Sequence, residues 1–392
     1  MMNDNRMKSL SLGALLGALA AMPVCAAQLS PYITKVYEYR PAPGQFVHDA
    51  PEYDAGDTEA TMAAKAGELI CGGDIEEGLI SLGAFGGYVV FGFDHSIVNV
   101  KGEYDFKVYG NAFRADGSFS AGSSEPGIVM VSRDVNGNGI PDDPWYELAG
   151  SEYSSAGTKK NFEISYIRPK AGKQQYPDPD NSDIIDTRYI RWTTNDADEA
   201  NGYIERNKYH TQPYYPQWIA DDRLTFVGTR LAKNATIVNG NYMLASYAWG
   251  YVDNVPNDED PGLKIDWAVN ADGESVELPC IDFVKVYTAI NQTCGSIGET
   301  STEIKGAEDL HPYALAVESI SADVDVMVTC IGGMLRISSM AGSEFEAQVF
   351  NVSGICVGTF AVSQGDNVFD LSNLAAGIYV VKIPSQAYKI RI

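Results

Sequence analysis

The chain has 392 residues, 45% of them hydrophobic, and carries 52 Asp and Glu against 28 Lys and Arg for a formal charge of −24. So acidic a surface repels phosphate backbones and anionic lipid, which argues against nucleic acid and membrane-surface partners and favours cations and neutral ligands. Its 4 His are widely spaced, too few for a His-rich zinc or di-iron site.

At the start, Arg6 and Lys8 precede an apolar run over residues 10–22. The run has the length of a signal-peptide core and is too short to span a bilayer. Small residues follow, suited to cleavage after Ala26 or Ala27, and Met7 offers a tidier start, so residues 1–27 are expected to be an export leader. A lipid anchor on Cys25 is the alternative, disfavoured because Met22-Pro23-Val24 lacks the small residue wanted immediately upstream. No other apolar stretch is long enough to cross a membrane. The mature chain is expected to be exported, soluble or tethered.

Residues 60–70 (ATMAAKAGELI) are the best helical candidate. From Tyr88 onward the pattern is strand, turn, strand. Runs at 88–93, 104–109, 127–131, 161–167, 189–192 and 281–287 are β-branched and aromatic or alternate in period two, separated by Gly, Asn, Asp and Pro. Alternation lapses over 297–318 and resumes in about 70 residues with five more strand-like runs. The expected fold is all-β: a jelly-roll-like β-sandwich over 28–296, a linker over 297–318, and a small Ig-like β-sandwich over 319–392.

Asp134, Asn136, Asn138, Gly139, Ile140, Asp142 and Asp143 form the sharpest local signal. Oxygen side chains at alternate positions, with Gly at the sixth, reproduce the first half of a calcium loop. The Ile140 carbonyl is the expected backbone ligand. Trp145 replaces the usual twelfth-position Glu, so Asp142, Asp143 or Glu147 must complete the shell. The alternative is a polar hairpin turn. Calcium here would pin the loop between Val131 and Trp145, a structural role. Asp253, Asp258, Glu259 and Asp260 form a less regular acidic string, expected to be solvated turn, with calcium binding as the alternative.

Tyr203, Tyr209, His210, Tyr214, Tyr215 and Trp218 crowd a segment stiffened by Pro213 and Pro216. Exposed, they would make a stacking platform for a sugar or planar macrocycle; buried, they would cap the sandwich. Neither outcome is decided by the sequence. Five Cys follow the leader (Cys71, Cys280, Cys294, Cys330, Cys356) with no C-x-x-C pair. Cys280 with Cys294 and Cys330 with Cys356 are candidate disulfides; free buried thiols are the alternative.

No nucleophile elbow, H-E-x-x-H or phosphate loop is present. Glu125, Asp94, Glu147, Asp266 and Asp282 supply carboxylates for a two-carboxylate glycosidase, but that chemistry is decided by separation in space.

Two resemblances add to this. Gly333-Met-Leu-Arg-Ile337, the segment 349–354, Asp370-Leu-Ser-Asn-Leu-Ala-Ala-Gly-Ile-Tyr379 and Val381-Lys-Ile383 resemble the C-terminal sorting domains of Bacteroidetes proteins exported by type IX secretion. The Lys-rich ending usual there is thinned to Lys389 and Arg391. The middle resembles Bacteroidetes cell-surface proteins with a jelly-roll core, carried by residues 81–94, 110–113, 124–129, 145–153, 265–269 and 281–289. Some of those accompany cobamide (cobalamin) uptake genes, which implies corrinoid as one ligand class and uptake or secretion machinery as partners. The expectation is a calcium-stabilised, non-enzymatic binding protein for a glycan or corrinoid. Its rivals are a carbohydrate-active hydrolase and a structural or adhesive surface protein.

Overall fold

Tyr88–Val98 is buried along most of its length, unlike a strand with one wet face, because it runs through the middle of a covered sheet. The computed structural model describes residues 29–115, 122–312, 326–339, 344–351, 354–383 and 387–392, so the leader and Cys25 lie outside the described residues. Tyr88–Val98 pairs antiparallel with Lys35–Arg40 on one side and Cys280–Thr288 on the other. Gly127–Ser132, Trp145–Leu148 and Ala268–Val269 extend the sheet to six strands. A second sheet orders Asn201–Asn207, Ile184–Thr194, Lys159–Ile167 and Arg223–Arg230.

The two sheets share one hydrophobic core. The Phe85 ring meets Phe162 edge-on at 5.1 Å and also packs against Tyr287, while Tyr88 meets Phe226 at 6.3 Å. The Tyr166 hydroxyl donates to the Phe85 carbonyl at 3.0 Å, so this buried phenol is satisfied. The fold is an all-β sandwich. The α-helix found among the described residues is Glu59–Ile70, buried on Met62, Ala63, Ala66 and Ile70. It starts at Thr58, whose hydroxyl accepts the Thr61 amide while the Thr61 hydroxyl accepts the Thr58 amide.

The expected linker over 297–318 requires correction. Glu303–Ile304 pairs with Ile80–Ser81, and Gly306–Asp309 pairs with Phe106–Tyr109. Ile304 and Ala307 are fully buried in the main core. These strands are too short to show a period, and the buried Thr300, Ser301 and Thr302 give the stretch a linker's composition. The first unit therefore reaches at least Leu310, whose amide still bonds to Asp105.

The tail forms its own two-sheet unit. Val326–Ile331, Met334–Ser339 and Gly365–Asp370 make one sheet; Cys356–Val362, Phe345–Asn351, Ile378–Lys382 and Ala387–Arg391 make the other. Between them lie Val328, Leu335, Ile337, Val349, Val381 and Ile390. All five Cys of the described residues are free, which corrects both candidate disulfides. Cys330 points into the tail's core from one sheet while Cys356 is exposed on the other.

Candidate functional site

The Asp134–Asp143 segment is the connection of a hairpin: Ser132 pairs with Trp145 and Met130 with Glu147. Gly137 and Gly139 adopt φ of 71° and 70°, the left-handed bends that wind the loop back on itself. Asp134 then accepts the Asn138 amide at 3.0 Å and the Gly139 amide at 2.8 Å. Asn136 Oδ1 accepts the Asn138 amide at 2.9 Å, and Asn138 Oδ1 accepts the Ile140 amide at 2.7 Å. The side-chain amides of Asn136 and Asn138 both donate to the Asp142 carboxylate, at 3.1 Å each for the nearer contacts. The side chains of Asn136, Asn138 and Asp142 are thus hydrogen-bonded to one another, and that of Asp134 to the backbone of the same turn.

Other expected members of that shell stand elsewhere. Asp143 takes the Val135 amide at 3.1 Å, and the Ile140 carbonyl accepts the Asp142 amide at 2.8 Å. Glu147 is drawn off the loop, accepting the Thr229 hydroxyl at 2.5 Å and lying 3.4 Å from Lys160. The second acidic string disperses too. Glu259 pairs with Arg114 at 2.7 Å, Asp260 accepts the Gly262 amide at 2.9 Å, Asp258 is exposed, and Asp253 is buried.

The aromatic segment does not form a flat exposed platform. Tyr214, Tyr215 and Trp218 are 0%, 2% and 7% exposed. Trp218 stacks on Tyr39 and Tyr53, and Tyr214 meets Tyr189 edge-on at 5.2 Å. The Tyr214 carbonyl takes the Gly44 amide at 3.0 Å, which binds this Pro-stiffened stretch over the end of the sandwich. These three rings are core, a correction to their reading as ligand contacts. His210 is held edge-on to Phe46 at 4.7 Å, which leaves its ring engaged in packing. Tyr209 is exposed, its hydroxyl donating to Asp183 at 3.0 Å.

Tyr215 contributes its edge to a cleft beside Arg168 and Tyr189, while Tyr203 lines a separate one of about 520 Å³. Tyr203 and Glu205 are two residues apart on one strand, so both face it. Asp178 and Asn181 come from the turn before Ile184–Thr194, and Asn241 and Tyr242 from the hairpin Ala235–Val238/Asn241–Leu244. Gly295, at φ 58°, closes the floor: a Cβ there would stand 2.9 Å from the Tyr242 ring. Burial raises the Glu205 carboxyl, and the charge of Asp178 raises it further. Asp178 is fixed by the Asp180 and Asn181 amides at 2.8 and 3.2 Å. Two aromatic rings, two carboxylates and two amides therefore line one hollow. Sequence reasoning found Tyr203 and missed the rest, because the partners come from segments that only the sheet order brings together.

The carboxylates inventoried for glycosidase chemistry are not in this cleft. Asp282 accepts the Asp134 amide and the Ser96 hydroxyl, and Asp266 the Gly102 amide. Asp94 binds His95, and Glu125 is directed to the Ser301 amide.

Residues 332–391 match a family of domains described as the secretion system C-terminal sorting domain, which fits the tail's separate core and its type IX-like strings. The chain is an exported protein. Its destination is the cell surface or the extracellular space. No helix of the described residues is long and apolar enough to cross a membrane. No curated protein matches the chain.

Proposed function

We propose that this exported chain is a non-enzymatic binding protein that takes a neutral, hydroxyl-rich ligand of glycan class in the Tyr203–Tyr242 cleft, with a structural calcium ion held in the 134–142 turn. The observation that carries the reading is the cleft's lining. Sugars offer apolar faces to aromatic rings and hydroxyls to carboxylates and amides, and Tyr203, Tyr242, Asp178, Asn181, Glu205 and Asn241 supply both. The corrinoid alternative has less support: Trp218, Tyr214 and Tyr215 are buried, and the His210 ring is packed on Phe46. For calcium, the support is that Asp134, Asn136, Asn138 and Asp142 are packed into one tight turn and carry oxygen donors of the kind a hard cation requires.

Isothermal titration against neutral oligosaccharides and cobamides tests the ligand class. Tyr203→Ala is expected to weaken oligosaccharide binding about tenfold, near 1.4 kcal/mol. Tight cobamide binding that survives Tyr203→Ala would overturn the assignment. A second reading, glycoside hydrolysis, is favoured by one observation: the Glu205 carboxyl is raised beside the Asp178 charge, the arrangement of a general acid paired with a second carboxylate. In that case Glu205→Gln abolishes release of reducing sugar while binding persists. No release by the unaltered chain sinks the hydrolase reading and leaves binding.

A further inference from the structure

Three carboxylates that stand far apart in sequence meet inside the first unit, and none of them lines either site above. One oxygen each of Glu125, Asp253 and Glu303 lies within 4.8 Å of the others. Glu125 stands just before Gly127–Ser132, Asp253 occupies a left-handed turn at φ 55°, and Glu303 lies on the short strand against Ile80–Ser81. Asp253 and Glu303 are 3% and 4% exposed, and Glu125 is half-buried.

Main-chain amides fix the group. Asp253 Oδ1 accepts the Asn111 and Ala112 amides, both at 2.8 Å, and its Oδ2 accepts the Glu303 amide at 3.0 Å. Glu125 Oε1 accepts the Ser301 amide at 3.1 Å. These N–H donors favour the ionised form of Asp253 and Glu125, against the larger opposing effect of burial. Gly110 keeps the space, since a Cβ there would stand 2.5 Å from Asp253 Oδ1.

What the group lacks is positive charge. Among the described residues no Lys, Arg or His forms an ion pair with any of the three, and the largest influences on them are burial, the other carboxylates and hydrogen bonds. Burial pushes Glu125 up to about 8 and Asp253 to about 7, the Asp253 charge adding to the effect on Glu125. Glu303 is raised further by burial and then by Glu125 and Asp253. A second observation points the same way. Glu303 Oε1 is fully enclosed and has no partner in hydrogen-bond geometry, the Ser81 and Ser301 hydroxyls near this carboxyl being bonded to each other at 2.7 Å. Enclosed carboxylate charge is costly, and either bound protons or a cation must neutralise it. Oxygens bound to one calcium ion at about 2.4 Å lie no more than about 4.8 Å apart, so the spacing admits a shared ion.

We propose that Glu125, Asp253 and Glu303 form an internal divalent-cation site, for calcium by its all-oxygen donors, separate from the 134–142 turn. It ties together three segments that the local hairpins leave apart, including the strand that the linker-like composition around residue 300 conceals. The site does not depend on the glycan reading or on calcium in the turn.

The test is calcium stoichiometry by isothermal titration with CaCl2 on the full exported chain after chelation. Glu303→Gln keeps the shape and removes one ligand charge, and is expected to bind one ion fewer than the unaltered chain. Asp134→Ala with Asp142→Ala is expected to leave that ion in place. Equal stoichiometry for Glu303→Gln and the unaltered chain would overturn the proposal. Should Glu303→Gln fail to fold, a crystal of the unaltered chain soaked in MnCl2 decides: an anomalous peak between the three carboxylates supports the site, and its absence rejects it.

Discussion

At the scale of single residues, His48 shows how burial sets charge. Its ring lies edge-on to Tyr53 and Trp218 at 5.3 and 5.4 Å, and Nε2 accepts the Gln217 amide, which requires the neutral form. Burial lowers the imidazole to about 4 from an ordinary 6.5. Between those values the unfolded chain holds the extra proton, so this group's contribution is intact above pH 6.5 and is lost as pH falls toward 4. The loss is on the order of 3 kcal/mol at 1.36 kcal/mol per unit. Urea unfolding of the unaltered chain and of His48→Gln at pH 7.5 and 4.5 measures it: the unaltered chain is expected to lose more stability on acidification. Equal losses would mean that the imidazole is charged in the fold. The six aromatic candidates belong to this scale too. Their identity and crowding were plain from sequence; which rings turned inward was not. Inside and outside positions in an irregular segment follow no period, so Trp218 and Tyr203 looked alike until neighbouring elements placed them.

At the scale of elements, the 134–142 turn was the most legible feature, because its hydrogen-bonded side chains lie within ten residues and local backbone bends suffice. If it holds calcium, adding the ion raises the thermal midpoint, and Asp134→Ala with Asp142→Ala lowers that gain; an unchanged gain in the double variant rejects the turn as a site. Glu147 was beyond local reasoning, because its strand carries it to Thr229 on the second sheet. The helix was legible for the opposite reason, being self-contained from Thr58 to Ile70. Strands of two to four residues, such as Glu303–Ile304, carry no detectable alternation and were read as linker.

At the scale of the whole molecule, two separate cores divide the chain, and the inner boundary matters for any truncation. A chain ending at residue 296 removes Ile304 and Ala307 from the main core together with their ladders to Ile80–Ser81 and Phe106–Tyr109. Burial of such side chains contributes roughly 1.5–3 kcal/mol for a large aliphatic residue. A chain ending at residue 312 is therefore expected to melt cooperatively at a higher temperature than one ending at 296. Equal melting, followed by circular dichroism, would show that residues 297–312 add nothing to the first unit.

Composition, the period-two runs and the tail's strings determined by themselves that this is an exported, all-β chain with a sorting-like end, since charge, alternation and contiguous motifs are local quantities. Tertiary structure alone decided the Tyr203–Tyr242 cleft, the fate of Trp218 and the meeting of Glu125, Asp253 and Glu303. Each of those depends on which strands lie side by side, and strand order is set by the burial of a whole core, not by any one stretch of chain.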